Sequence, residues 1–281
     1  AMQLKRMLGG RLRRKRRRNM KMYRFYFVIT FLLILSLQSF SEDFLVNTDP
    51  EGMTIRMTTK YLRIAEDNIY DVSVPIKIEL ENSLTFISFT NPKNGFPWLK
   101  SGDNKLLALY DSGYLILYTK DNINPVFQLT SEKTIDDGDS FIFKSSSFLS
   151  DGTNIYAASN LGTTSIHNPY SEGVKGSGIN ETITIQAKDP NKKITGFYLS
   201  NGYVSFVKPY LYEQNNRIKK ISISSIDGKH IGDYDLLDTP LLQYVYLKNE
   251  SNTIIITIKD VYPGVKFDDT CLNFISLTAW Y

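Results

Sequence analysis

The stretch Lys-Lys-Ile-Ser-Ile-Ser-Ser-Ile-Asp-Gly-Lys-His, residues 219–230, shows most clearly how this chain folds. Ile221 and Ile223 alternate with serines, which is the two-residue period of a β-strand with one buried face. Ile226 follows after a slip of one residue, which predicts a β-bulge. The Asp-Gly pair that comes next is typical of a tight hairpin turn. We therefore predict a strand, a turn and a returning strand in this stretch.

Similar short runs of β-branched and aromatic residues recur through the chain beyond Glu42. Gly, Asn, Asp and Pro bound these runs, and no long stretch keeps the 3.6-residue apolar period of a helix. Many short strands separated by turn residues are typical of a sandwich or a barrel. We therefore predict an all-β fold, with strands in the runs Leu84–Phe89, Leu106–Tyr110, Tyr114–Tyr118, Ile183–Gln186, Ile194–Leu199, Lys219–Ile226, Gln243–Leu247, Thr253–Ile258 and Leu272–Leu277.

The first 41 residues have the charge pattern of an export signal. Residues 1–24 contain 11 Lys and Arg and no acidic residue, and an apolar run follows at 25–37. Ser39 and Ser41 supply the small residues of a cleavage site before Glu42. The apolar run is shorter than the ~20 residues of a spanning helix, which favours a cleaved signal peptide over the alternative, an uncleaved signal-anchor. Both place the body of the protein in the periplasm, at the cell surface or in the medium, and cleavage leaves no membrane segment.

Composition excludes several classes of function. Beyond residue 24 the chain carries 22 basic and 29 acidic residues, so the body of the protein is acidic. Duplex-binding proteins need a basic surface to release counterions from phosphate, and we therefore expect no nucleic-acid partner. The single cysteine excludes an intramolecular disulfide and a cysteine-based zinc site. The G-x-S-x-G motif of many hydrolases is also absent from the sequence.

A polar segment at 130–147, rich in Ser and Asp, divides the body of the chain. Such composition is typical of a linker. We therefore predict a smaller N-terminal β-domain of unknown type at 44–135 and a second domain at 140–281.

Four segments of the second domain occur in a recognisable order. The segments are Tyr156–Leu161, Asn168–Ile183, Gly196–Tyr203 continuing to Asn215–Lys219, and Ile258–Cys271. Together they resemble the NADase-type glycan-binding domain, a discoidin-like module with the galactose-binding fold that occurs in exported bacterial proteins. The resemblance covers about residues 145–278 and implies a jelly-roll β-sandwich that binds a glycan and has no catalytic activity.

The chain departs from the family pattern at three positions. Tyr170 stands where the family usually has Trp, and Asn180 replaces a Gly. Because Asn tolerates the left-handed conformation, we expect the turn at Asn180 to persist. Phe274 replaces a common acidic residue, so a loop or cation that this carboxylate would order is in doubt.

Pro263-Gly264 predicts the centre of a type II turn.

Glycan binding needs aromatic faces for the C–H surfaces of a sugar, and donors and acceptors for its hydroxyls. Tyrosines that lie on loops beside Asn, Glu or Arg supply both. The alternative for each of these residues is a packing role, and Arg217 could equally cap a strand end. The predicted ligand-binding residues are Tyr170, Glu172, Tyr203, Tyr212, Asn215 and Arg217.

Galactose-binding folds often hold a structural calcium ion with oxygen ligands. The carboxylates available for such an ion are Asp151, Asp268 and Asp269. We expect no other cofactor.

Three classes of function remain open. The resemblance favours a non-catalytic, exported carbohydrate-binding protein with a glycan or polysaccharide as its partner. A second reading is an envelope assembly module that docks a protein partner. A third is a secreted hydrolase whose paired carboxylates are not recognisable in sequence, because such pairing is spatial.

Overall fold

The computed structural model describes residues 44–47, 54–57, 61–66, 70–89, 105–111, 114–120, 127–130, 138–163, 166 and 168–280. Phe44–Tyr281 forms one compact unit. The predicted signal peptide at 1–41 and most of the predicted linker lie outside the described residues.

The first sheet is an antiparallel meander of eight strands, in which each strand pairs with the next along the chain. Cα atoms of β1 and β8 approach within 8 Å, so the sheet curls back on itself. Its strands are β1 (Phe44–Asn47), β2 (Thr54–Met57), β3 (Tyr61–Glu66), β4 (Tyr70–Glu81), β5 (Leu84–Phe89), β6 (Lys105–Tyr110), β7 (Tyr114–Tyr118) and β8 (Phe127–Thr130).

The second sheet contains nine strands in the order β15-β12-β17-β13-β16-β11-β9, with β10 paired to β17 and β14 paired to β13. Helical structure in the described part of the chain is limited to two 3₁₀ turns, Gly138–Ser140 and Ala158–Gly162, and the one-turn helix α1 (Leu211–Gln214). The strands are β9 (Phe141–Ser145), β10 (Tyr170–Ser171), β11 (Thr182–Ala187), β12 (Lys193–Asn201), β13 (Asn216–Ser225), β14 (His230–Asp235), β15 (Leu242–Ser251), β16 (Thr253–Tyr262) and β17 (Thr270–Trp280).

A large apolar core lies inside the second sheet, which folds over as a sandwich. Alternate residues of its strands point inward, as the two-residue period requires. Phe197 and Leu199 of β12 lie opposite Leu277 and Ile275 of β17 in register, and all four side chains are buried. Burial of this many large side chains is the main source of stability of the sandwich.

The hairpin predicted from residues 219–230 is present as β13 and β14, with a register shift between Ile223 and Ser224. Gly228 in its turn has a φ of +82°. Asn180 has a φ of +73°, which confirms that Asn keeps the left-handed turn there. The type II turn predicted at Pro263-Gly264 is wrong, because Gly264 is not among the positive-φ residues. A Cβ at Gly264 would instead lie 2.4 Å from the carbonyl oxygen of Gln214, so the glycine permits a close approach of two backbones.

A second hydrophobic cluster joins the two sheets. Phe86 and Leu107 of the first sheet belong to the same buried cluster as Tyr198 and Phe274 of the second sheet and Tyr212 of α1. Tyr198 projects from β12 on the side opposite Phe197, so both faces of this strand are buried. The first sheet thus covers an outer face of the sandwich.

The predicted all-β fold, with a β-sandwich in the C-terminal half, is confirmed. The division into separate domains at 44–135 and 140–281 stays a prediction. The shared cluster shows that the two sheets belong to one compact unit.

Candidate ligand-binding site

A cavity of about 240 Å³ opens among the loops at one end of the sandwich. Three aromatic rings, two carboxylates and one ammonium group are among the groups that line it. The lining residues are Leu149, Asp151, Tyr156, Ser171, Tyr203, Lys208, Leu211, Asn215, Phe267, Asp269 and Cys271. Four predicted site residues therefore come together here: Tyr203 and Asn215 from the ligand set, and Asp151 and Asp269 from the metal set.

The loop at 149–156 forms one side of the cavity, and Asp151 fixes its shape. The Asp151 carboxylate accepts hydrogen bonds from the backbone N–H groups of Thr153 (3.1 Å) and Asn154 (2.7 Å), from the Asn154 side chain (3.1 Å) and from the Tyr156 hydroxyl (3.4 Å). These bonds, of which the one from the Asn154 backbone is the strongest, lower the pKa of Asp151. Its carboxylate is therefore charged at neutral pH and already occupied by its own turn.

Two tyrosine rings stand side by side in the cavity wall. The ring centroids of Tyr156 and Tyr203 are 6.2 Å apart and the planes are tilted by 58°. Both side chains are half-buried, and burial raises the pKa of each hydroxyl. The hydroxyls stay protonated at neutral pH and can donate as well as accept hydrogen bonds.

Helix α1 and the loop after β16 form the opposite side. The backbone N–H of Phe267 donates to the carbonyl of Gln214 over 2.9 Å, which holds the loop against α1. The Asn215 side chain donates to the carbonyl of Leu211 over 2.8 Å and so caps the end of the helix. Asn215 therefore lines the cavity with an amide that is partly used by its own helix.

Asp269 and Lys208 are the two charged groups of the cavity with unused hydrogen-bonding capacity. Neither side chain has a hydrogen bond or an ion pair to another described residue, and the two do not pair with each other. Burial raises the pKa of the half-buried Asp269 carboxyl, and the charge of Asp268 raises it further. A partly desolvated carboxylate without donors is unfavourable by itself, so a ligand that donates hydrogen bonds would relieve it.

Arg217 and Tyr212 lie outside the cavity and hold its scaffold together. The Arg217 guanidinium donates to both carboxylate oxygens of Asp238 (3.0 and 2.8 Å) and to the carbonyls of Asn215 and Pro263 (3.0 Å each). Tyr212 also donates to Asp238, over 3.2 Å. Only 8% of Arg217 and 2% of Tyr212 is exposed. The polar groups of these two residues are engaged inside the protein, which indicates a structural role, and their contact with a ligand stays a prediction.

Tyr170 and Glu172 are also placed in the interior, with no exposed surface. Tyr170 belongs to the core of the sandwich. Glu172 accepts hydrogen bonds from the backbone N–H groups of Val174 (2.8 Å) and Thr270 (3.2 Å), which ties the glycine-rich loop to β17. Burial raises the pKa of Glu172. These two residues are structural, because neither can reach a ligand without leaving its buried place.

The three predicted calcium ligands do not form a metal site. Within the described ranges, no group of three His, Cys, Asp or Glu residues could hold a metal ion together. Asp151 is occupied by its own turn, and Asp268 does not line the cavity. The calcium ligand set Asp151, Asp268 and Asp269 therefore does not fit, and calcium binding elsewhere stays a prediction.

Sequence reasoning missed seven of the lining residues: Leu149, Tyr156, Ser171, Lys208, Leu211, Phe267 and Cys271. Tyr156 and Phe267 fall inside the segments that carry the family resemblance, so their aromatic character was a usable signal. Lys208 and Leu211 lie between recognisable motifs and gave none.

No helix in the described part of the chain is long and apolar enough to cross a membrane. No curated protein sequence matches the chain.

Comparison with solved structures finds several discoidin-like domains at low identity. The CpGH89CBM32-5 structure from Clostridium perfringens, in complex with GalNAc-β-1,3-galactose, is 12% identical, covers 52% of this chain and 99% of its own, and has a TM-score of 0.41. The family 32 carbohydrate-binding module of C. perfringens NanJ, in complex with galactose, is 14% identical, covers 52% and 98%, and has a TM-score of 0.40. The C-terminal domain of a Bacteroides fragilis chitobiase is 17% identical with the same coverage and TM-score. We draw no functional conclusion from likenesses this distant.

The jelly-roll sandwich with a cavity among its end loops defines the C-terminal half as a discoidin-like domain. The family model for the NAD glycohydrolase translocation F5/8 type C domain matches residues 136–278. The chain belongs to this family, which confirms the resemblance found in the sequence.

Proposed function

We propose that this protein is a non-catalytic, exported carbohydrate-binding protein that takes up a glycan in the cavity among the sandwich loops. One observation carries the proposal: aromatic rings converge in a single cavity with two charged groups, Asp269 and Lys208, that have no partner in the described part of the chain. Membership of a discoidin-like family supports it.

The cavity offers both kinds of contact that a sugar ring needs. The rings of Tyr156, Tyr203 and Phe267 can pack against C–H faces. Asp269 accepts hydrogen bonds from sugar hydroxyls, and the Lys208 ammonium donates to hydroxyl or carbonyl oxygens. Because neither charged group has a partner among the described residues, the ligand satisfies them without breaking a bond seen in this part of the chain.

Asp269→Asn is the sharpest test, because it removes the charge and keeps the shape. Binding of the full chain to a glycan array and to insoluble polysaccharides identifies the ligand first. A charge-assisted hydrogen bond contributes about 1.5–3 kcal/mol, so Asp269→Asn should weaken binding about 10-fold or more. The neighbouring Asp268→Asn is the matched control, because Asp268 is exposed and does not line the cavity. Equal effects of the two variants, or no glycan binding by the folded protein, would refute the proposal.

The non-catalytic assignment rests on the state of the carboxylates. Glycoside hydrolysis uses two carboxyl groups that flank the scissile bond. Of the two that line the cavity, Asp151 is engaged by its own turn, which leaves Asp269 as the carboxylate free to act. We expect no new reducing ends when the bound glycan is incubated with the protein, and their steady release would contradict this assignment.

Export is inferred from the pattern of residues 1–41. N-terminal sequencing of the protein recovered from envelope and medium should begin at Glu42. Recovery of intact residues 25–41 in the membrane fraction would instead identify an uncleaved signal-anchor.

Docking of an envelope protein is the second candidate, and exposed apolar residues beside the cavity favour it. Ile155, Val207 and Val265 are exposed by 57, 59 and 82%, and each lies within two residues of a lining residue. If the folded protein binds no glycan, a partner captured from envelope extract should be lost from Val207→Ser and Val265→Ser. Retention of the partner by both variants would refute this second candidate.

A further inference from the structure

One wall of the cavity is formed by residues 203–213, which we call the wall segment. Tyr203, Lys208 and Leu211 of this segment line the cavity. Residues 203–210 of the wall segment belong to no strand and no helix, and residues 211–213 lie in α1. Its position therefore depends on what its side chains pack against.

The other side of the wall segment packs against the first sheet. Val204 and Tyr212 are buried in the cluster that contains Leu84 and Phe86 of β5. Phe206 meets Phe86 edge to face, with ring centroids 5.2 Å apart at 90°. Aromatic pairs of this geometry add to the stabilisation that burial alone gives.

The hairpin turn between β4 and β5 reaches the far end of the wall segment. Its two central residues, Asn82 and Ser83, have φ values of +46° and +68°. Positive φ at both positions is the geometry that two-residue hairpin turns favour, because its twist matches that of the strands. The Ser83 hydroxyl donates a hydrogen bond to the Glu213 carboxylate over 3.0 Å. The contact joins residues 130 positions apart in the sequence.

We propose that the first sheet is a positioning part of the binding site, which holds the wall segment in its binding geometry. The proposal rests on the glycan-binding function proposed above. It assigns a role to a part of the chain that the family match at 136–278 does not cover. Phe86 and Ser83 are positioning residues in this sense, because they act through Phe206 and Glu213 and do not line the cavity.

Two conservative substitutions on one strand separate positioning from general stability. Phe86→Leu trims the contact with the wall segment. Ile87→Val is the matched control, because Ile87 is equally buried but lies on the opposite face of β5 and outside the shared cluster. Hydrogen exchange of the wall segment, the melting temperature and the glycan affinity are measured on the full chain of each variant. Hydrogen exchange needs no ligand, so it tests the packing independently of the proposed function.

Phe86→Leu should speed amide exchange in the wall segment and weaken glycan binding, each by about 5-fold or more, the lower end of typical coupling between sites. Ile87→Val should leave both unchanged at a similar melting temperature. Ser83→Gly is the second variant, to be used if Phe86→Leu fails to fold. It removes the hydroxyl that binds Glu213, at an exposed position whose positive φ glycine adopts readily. It should also speed exchange in the wall segment and weaken glycan binding, but by less. Unchanged exchange in the wall segment, or faster exchange with unchanged affinity, would overturn the inference. A wild-type chain that binds no glycan would refute the proposed function, and the exchange data would then decide this inference alone.

Discussion

Replacement of Arg217 by Met should destabilise the protein strongly while leaving the lining of the cavity chemically unchanged. The substitution removes the four hydrogen bonds that this side chain, which is 10% exposed, donates inside the protein. The carbonyls of Asn215 and Pro263 lose their donors inside the protein. Asp238 loses its bidentate partner, but its side chain is 38% exposed and water can partly solvate it.

The expected loss follows from these contacts. Breaking a buried ion pair by removing one partner costs about 3–5 kcal/mol, and the exposure of Asp238 favours the lower end. We expect about 3 kcal/mol, which corresponds to a fall of about 6–12 °C in melting temperature for a unit of this size. Urea unfolding followed by tyrosine and tryptophan fluorescence gives the free energy, and calorimetry gives the melting temperature.

Lys219→Met is the matched control on the same strand. Lys219 also pairs with a carboxylate, Asp260, over 2.6 Å, but both side chains are about half exposed. Exposed pairs contribute at most about 1 kcal/mol. If Arg217→Met unfolds like the wild type, or costs no more than Lys219→Met, the structural role assigned to Arg217 is wrong. Lost glycan binding with unchanged stability would restore the sequence prediction that Arg217 contacts ligand.

Three further predictions concern groups around the cavity. Gly178→Ala should lower the free energy of unfolding in urea by about 2 kcal/mol or more, because the φ of Gly178 is +63° and the new Cβ would lie 2.5 Å from the Glu172 side chain. Gly152→Ala is the control: its φ is +84°, but its Cβ would enter open space, so it should cost only about 1 kcal/mol. Cys271 should resist thiol reagents at pH 8 in the native state and react on unfolding, because complete burial raises its pKa to about 12; rapid labelling of the folded protein would contradict its placement. The raised pKa of Glu172 stabilises the fold below the ordinary glutamate pKa, and this contribution is lost as pH rises through the folded value. The urea midpoint of Glu172→Gln, relative to that of the wild type, should therefore increase as pH rises from 4 to 8. If the two midpoints change in parallel with pH, the raised pKa of Glu172 is wrong.

The strands and turns of the sandwich were predictable because their signals are local. The alternation at Ile221 and Ile223 and the left-handed turn at Asn180 each depend on a few adjacent residues. The family segments then implied that these strands form a jelly-roll sandwich.

The binding site was only partly predictable, because its parts meet only in three dimensions. Asp151 and Asp269 were predicted together as metal ligands, and both line one cavity. The Asp151 carboxylate, however, accepts hydrogen bonds from its own turn. Arg217 looked like a ligand contact because its partner Asp238 lies 21 residues away and nothing local marks the pair. Tyr170 belongs to a segment with a loop composition, yet it pairs with β17 and its ring enters the core.

No pattern in the sequence predicted that the first sheet packs against the outer face of the sandwich. Tyr198 follows the normal alternation of β12, which predicts that it faces away from the core. Whether that outer face meets water or another sheet depends on residues more than 80 positions earlier, such as Phe86 and Leu107. The contacts of Phe86 and Ser83 with the wall segment were unpredictable for the same reason, because they join residues far apart in the sequence.

The position of β17 in the sheet also sets the order in which the protein can form. This strand comes last in the chain order, yet it pairs with β12 on one side and with β13 in parallel on the other. Until the ribosome has delivered Thr270–Trp280, two strands keep open edges in the middle of the sandwich. Completion of the sandwich must therefore wait until Thr270–Trp280 has been synthesised, whatever the earlier strands have already formed.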